Sequence, residues 1–267
     1  MNNIKVAIKE YLKEKEYNKF TLKSVLFDMD GVLYDSMPNH ASSWTKVMQL
    51  YGFNMTEEEA YMHEGRKGVE TISIISGREG KNISLEEGKK IYETKIKIFN
   101  SCPTVLPMKG STELLCKIVE NELFAMLVTG SGQPSLLERL NNDFPNIFLR
   151  ERVVSSFDVK NGKPNPEPYL TAMKKGLLQP DEAIVVENAP LGIESAHSAG
   201  LFVIAVNTGP LPDSALLDAG ANILLPSIEC LYDEWNNIFH YLRTTLNHIN
   251  YDPKRAYLSN NKPPVRR

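Results

Sequence analysis

From Ser24 onward, short continuous apolar runs alternate with stretches whose apolar residues recur at helical spacing. The runs SVLFDMD (24–30), LFAMLVTG (123–130), VVSS (153–156), AIVVEN (183–188), FVIAVNTG (202–209) and ANILLP (221–226) predict strands. Helices are expected over 111–121, near 134–142, over 166–176 and over 191–199. Strands that are apolar throughout, separated by helices, imply a parallel sheet covered on both faces. The stretch 38–102 breaks this rhythm. HASSWTKVMQLYG, TEEEAYMH, VETISIIS and LEEGKKIYETKIKIF all carry a helical pattern, with Pro38 near the start and Pro103 just beyond the end. It reads as a helical insertion after the first strand, a cap on two chain crossings that could hinge. At the N-terminus, Ile4, Ala7, Ile8, Tyr11 and Leu12 lie on one helical face and predict a docked amphipathic helix. The expected organisation is a core over 1–37 and 103–245, including a helical extension at 1–20. A cap at 38–102 and a tail at 246–267 complete it. The Asn, Pro and Arg content of the tail suggests partial disorder.

Composition narrows the partners. The 267 residues carry 30 Lys and Arg against 33 Asp and Glu, a formal net charge of −3, which gives no bulk attraction to nucleic acid. The longest apolar runs, such as LFVIAV at 201–206, are too short to cross a bilayer. The N-terminal stretch lacks the continuous apolar core of a signal peptide. Cys102, Cys116 and Cys230 are scattered and fit neither a metal pattern nor a disulfide framework. A cytoplasmic monomer, with neither nucleic acid nor membrane as partner, is the expectation.

Ligands of open parallel sheets sit beyond the carboxyl ends of the strands. The residues expected there are Asp28 and Asp30 after the first strand, and Thr129 with Gly130, Ser131 and Gly132 after the second. Lys160 and Lys163 come from DVKNGKPNPEPY, and Glu187 and Asn188 follow AIVV. The set suits phosphoryl transfer. A carboxylate can attack phosphorus and become an acyl phosphate. A divalent cation and a lysine reduce the repulsion between two anions. A second carboxylate, two residues on, can protonate the leaving oxygen and later take a proton from water.

DMDGVLYDS, LVTGSG, GKPNPEPY and VVENAPLGIESAHSAG resemble, in order, the four motifs of the haloacid dehalogenase (HAD) superfamily, over about 24–226. The insert resembles the helical C1 cap of its β-phosphoglucomutase-like group. The resemblance implies an α/β fold, a Rossmann-like three-layer parallel-sheet core with a small α-helical cap domain after the first core strand. It also implies Asp28 as nucleophile, Asp30 as general acid and base, and Thr129 and Lys163 as phosphate-binding catalytic groups, with Gly130 and Ser131 beside the phosphate. Mg²⁺ is the implied cofactor, held by Asp28, Asp30, Glu187 and Asn188. Asn188 departs from the family's second acidic residue and implies weaker metal binding.

In the cap, His40 resembles the group's hinge-side histidine and Lys95 a cap lysine that reaches the site, while Arg66 and Lys67, in HEGRKGVETI, could meet a substrate anion. Ordinary cap packing or solvated charge is the competing reading of each. Asp30 points to a phosphatase or phosphomutase, because the dehalogenases proper lack that carboxylate. By the resemblance, a mutase carries a cap arginine three residues after the glycine of a Lys-Gly motif, which falls on Gly68 if Gly65 is matched to that glycine, and commonly a lysine where Gly132 stands. The expected function is therefore a Mg²⁺-dependent phosphatase of a small phosphorylated metabolite, with sugar phosphates among the candidates. A β-phosphoglucomutase is the alternative, and a non-catalytic binding protein on a decayed scaffold is the third reading.

Overall fold

The computed structural model describes residues 2–131 and 134–243. Six parallel strands form one sheet: β1 (Ser24–Phe27), β2 (Phe124–Val128), β3 (Val153–Val154), β4 (Ala183–Glu187), β5 (Phe202–Val206) and β6 (Ile223–Leu225). Their spatial order is β3-β2-β1-β4-β5-β6. β1 is therefore flanked by β2 on one side and β4 on the other, with Phe27 level with both Leu127 and Val186. The chain winds outward in both directions from β1, so a crevice opens at the carboxyl end of this strand.

Alternation along β1 builds the layers. Val25 and Phe27 point into one apolar cluster and Leu26 into another. The first cluster packs α1 (Asn2–Glu14), α6 (Ser111–Glu120), α7 (Pro134–Asp143) and α11 (Ile228–Arg243) on one face. The second packs α8 (Glu167–Gly176), α9 (Pro190–Ser198) and α10 (Asp213–Asp218) on the other. The expected three-layer α/β architecture is what the structure has.

The N-terminal helix docks as its pattern requires. Ile4, Ile8, Tyr11 and Leu12 are buried, Tyr11 stacks on Phe20, and its hydroxyl donates to the Gly200 carbonyl at 2.7 Å. Because Leu12 is fully buried, Leu12→Ala should destabilise the protein by roughly 2–5 kcal/mol. Chemical denaturation with an unchanged m-value would check this, and a loss near zero would show that the helix is not part of the cooperative core.

Between β1 and β2 lie α2 (Met37–Leu50), α3 (Glu57–Met62), α4 (Gly68–Arg78) and α5 (Leu85–Asn100). They enclose a separate cluster that includes Trp44, Val47, Met48, Ile72, Ile75 and Ile91. Thr56 and Ser84 start α3 and α5 with reciprocal capping boxes to Glu59 and Glu87. The two crossings to the sheet are tied together. Asp35 N–H donates to Leu106 O at 2.9 Å and Met108 N–H to Leu33 O at 2.8 Å.

Some expectations shift. The third strand ends at Val154 because Asp158 accepts from both the backbone N–H and the hydroxyl of Ser155, each at 2.9 Å, turning the chain early. The helices α10 and α11 were not anticipated, although Ile228, Leu231, Trp235, Ile238 and Leu242 mark one buried face of α11. No helix among the described residues is long and apolar enough to cross a membrane. Gly132 and the 246–267 tail lie outside the described residues.

Candidate active site

Asp28 follows β1 directly, and its N–H continues the ladder to Val186 O at 3.0 Å. Asp28 is 3 % exposed. Oδ2 accepts the Asp30 N–H at 3.0 Å, and Oδ1 accepts from Lys163 Nζ. Burial pushes the Asp28 carboxyl up to about 8. Lys163 pulls against that shift, while Glu187 and Asp30 add to it.

Lys163 itself is buried and bound on every side. Its ammonium donates to Asp28, to Val128 O at 3.0 Å and to Glu187 Oε1 at 2.6 Å. Burial opposes its charge, but the Asp28 and Glu187 carboxylates win and raise its pKa above the ordinary lysine value. Lys160 takes no such place: its side chain stays exposed.

Asp30 lives in a different environment. Ser36 Oγ donates to Oδ1 at 2.6 Å, and His40 Nε2 lies 3.2 Å from the same oxygen without the alignment of a hydrogen bond. Burial raises this carboxyl, yet His40, Ser36 and Lys95 together hold it below the usual aspartate value. His40 Nδ1 is 2.7 Å from Lys95 Nζ, so a neutral ring that accepts from Lys95 turns its Nε2–H toward Asp30. Lys95 is 1 % exposed, and its ammonium lies over the Trp44 and Phe99 rings at 5.4 and 4.9 Å. Burial lowers its pKa to about 7, opposed by Asp30 and Cys102. The two carboxylates two residues apart are thus unlike: one sits on a lysine, the other at the end of a His–Lys chain.

Thr129 continues β2 toward the site. Its N–H donates to Val154 O at 2.9 Å, and its Oγ1 accepts the Ser131 N–H at 2.9 Å. Gly130 and Ser131 border a cavity of about 40 Å³ whose other walls include Asp30, His40, Lys95 and Arg66. The structure therefore brings Gly130, Ser131, His40, Lys95 and Arg66 to the walls of one cavity. Arg66 Nε is buried there without a partner.

The expected metal set divides. Glu187 accepts four donors, from Lys163 and Tyr169 on Oε1 and from the Asn188 and Ala189 N–H groups on Oε2. A carboxylate has about four lone-pair directions, so Glu187 is already occupied. It positions Lys163 and presents no open oxygen in this arrangement. Asn188, by contrast, is 5 % exposed and its Oδ1 has no partner.

One residue escaped the sequence reading. Glu64, in the loop between α3 and α4, brings its carboxylate to Asn188, whose Nδ2 donates to Glu64 Oε2 at 3.4 Å. Glu64 Oε1 is buried without a partner. Burial, then repulsion from Asp28, Asp30 and Glu187, raises the Glu64 carboxyl well above its ordinary value. Lys163 is the cation that offsets this repulsion at Glu64. Among the described residues, no three acidic, His or Cys side chains converge as a ready cage. The donor set still fits a hard divalent cation. Mg²⁺ takes few carboxylates, keeps waters and accepts substrate oxygens. Two buried oxygens, Asn188 Oδ1 and Glu64 Oε1, have no partner, on side chains that already meet through Asn188 Nδ2.

Comparison with known proteins agrees with this geometry. The family described as haloacid dehalogenase-like hydrolase matches residues 25–206. A phosphorylated carbohydrates phosphatase of Thermotoga maritima is 34% identical over 216 residues, 79% of this chain and 97% of that protein. A β-phosphoglucomutase of Bacillus subtilis is 27% identical, covering 80% of this chain and 96% of its own. A solved structure of a β-phosphoglucomutase-like protein from Bacteroides vulgatus superposes with a TM-score of 0.88 at 52% identity, over 91% of this chain and 99% of that one.

Proposed function

From the premise that the chain belongs to the haloacid dehalogenase-like hydrolase family, we propose that it is a Mg²⁺-dependent phosphatase of a small phosphorylated metabolite. The observation that carries this reading is the asymmetry of Asp28 and Asp30. Asp28, held by Lys163, is the nucleophile: its oxygen bonds to phosphorus as the ester oxygen departs. Asp30, an ionised carboxylate facing the cavity, passes to the leaving oxygen a proton that reaches it from Lys95 through His40. It then takes a proton from the water whose oxygen displaces Asp28 from phosphorus. Thr129 and the N–H groups of Gly130 and Ser131 hold the remaining phosphate oxygens, and Lys163 offsets their charge.

The cation would be held by Asp28, Asp30, Asn188 and Glu64. When bound, it neutralises charge between the carboxylates and the phosphate. Glu64 supplies from the cap the carboxylate that Asn188 does not. Glu64→Gln should therefore weaken Mg²⁺ binding by about tenfold or more, read by calorimetry without substrate. Unchanged affinity would remove Glu64 from the metal set.

The space left over Asp30 is about 40 Å³, enough for a few waters. A compact leaving group suits this closed arrangement better than a hexose, which requires the cap to move outward. A Mg²⁺-dependent screen of phosphorylated compounds graded by leaving-group size, read by phosphate release, tests the activity. Release from none of them would overturn it and favour a binding role for the scaffold.

Arg66, with its unpartnered buried Nε, favours β-phosphoglucomutase as the second reading, because a mutase needs a cap group for a second phosphate. With Gly65 matched to the glycine of the family's Lys-Gly motif, Gly68 speaks against it. A Cβ there would lie 2.1 Å from the Tyr92 ring, leaving no room for an arginine at that position. Conversion of β-glucose 1-phosphate to glucose 6-phosphate, with a trace of bisphosphate and no phosphate release, would reverse the preference.

A further inference from the structure

The loop that carries Glu64 and Arg66 is fastened to the sheet side by the residue that follows them. Lys67 stretches from the cap across to the loop after β3, and its ammonium donates to Val159 O and to Lys160 O, both at 2.7 Å. Two carbonyls aimed at one ammonium form a charged clasp, stronger than neutral hydrogen bonds.

The surfaces under the clasp fit without side chains between them. A Cβ on Gly130 would lie 2.2 Å from Gly65 O, and a Cβ on Gly162 would lie 3.0 Å from Lys67 Cγ. The receiving loop is braced by one carboxylate. Glu167 accepts from the N–H groups of Lys160 and Asn161 at 2.7 and 2.9 Å. The same loop then delivers Lys163 to Asp28.

We infer that Lys67 is a latch: by clasping the Val159 and Lys160 carbonyls, it holds the cap loop shut over the phosphoryl-transfer site. It is a positioning residue, since its ammonium is bound to two backbone carbonyls and it does not line the cavity. Opening the latch frees Glu64 from Asn188 and Arg66 from the cavity, while the loop of Lys163 stays braced by Glu167. Closure of the cap and placement of the lysine are thereby joined through one short segment, residues 158–163. The cap's contribution to the reaction rests on the phosphatase reading, but the latch itself does not.

Its test needs no substrate. Hydrogen exchange of the free protein should show peptides over 63–68 and 129–131 exchanging faster in Lys67→Met, by about tenfold, with α4 and α5 unchanged. Lys67→Arg keeps the donors and should restore slow exchange. In steady state, Lys67→Met should lower kcat by about tenfold, and Lys67→Arg should recover most of it. Unaltered exchange at 63–68 in Lys67→Met would overturn the latch even if activity fell. Faster exchange confined to that loop would sustain it even if the phosphatase reading failed.

Discussion

Asp28→Asn should leave a folded protein whose turnover is lower by about 10³-fold or more. The substitution keeps the shape of the side chain and its acceptor for the Asp30 N–H, and it removes the oxygen proposed to attack phosphorus. Folding should survive because Lys163 keeps Glu187 and Val128 O as partners. The buried carboxyl at position 28 is also costly, as its upward pKa shows. The melting temperature should hold or rise while phosphate release disappears. Turnover within tenfold of the unsubstituted enzyme would exclude Asp28 as nucleophile.

Lys163→Met should act on the fold as well as on the reaction. Lys163 is 1 % exposed, and it is the ammonium shared by Asp28 and Glu187. Removing it leaves two buried carboxylates facing each other and Glu64 without compensation. Breaking a buried pair from one side costs roughly 3–5 kcal/mol. For a chain of this size that is a fall of about 10 °C in melting temperature. Calorimetry of Lys163→Met and of Lys160→Met together makes the comparison clean, because Lys160 is exposed and its loss should be nearly silent. Equal and small effects would mean that the buried cluster is not organised around Lys163.

Much of this site is legible in the chain because it is local. Asp28 and Asp30 share one strand end, and Thr129, Gly130 and Ser131 share another, so strand prediction places them at one edge. The strand order that puts β1 between β2 and β4 is a product of packing and cannot be read from periodicity. Glu64 was invisible for the same reason. In HEGRKG it is one charged loop residue among several, and only the folded cap brings it to Asn188. The signal that could have found it was the missing carboxylate at position 188, which calls for a replacement from elsewhere. Glu187 shows the reverse. Its place in a motif suggested an open metal ligand, while Tyr169, Lys163 and two backbone N–H groups already fill its oxygens. The helix α11 had a readable pattern in Ile228, Leu231, Trp235, Ile238 and Leu242, but it lies beyond the recognisable motifs, where a search led by chemistry does not look.

A phosphorylated Asp28 can be trapped chemically. The enzyme is mixed with its best substrate and Mg²⁺, quenched within one turnover and reduced with borohydride, which converts an aspartyl phosphate to homoserine. Mass spectrometry of the peptide containing residues 24–36 then locates the change. Homoserine at position 28, absent in Asp28→Asn and absent without substrate, is the predicted result. Full phosphate release with an unmodified Asp28, in an enzyme quenched across the first turnover, would contradict the account.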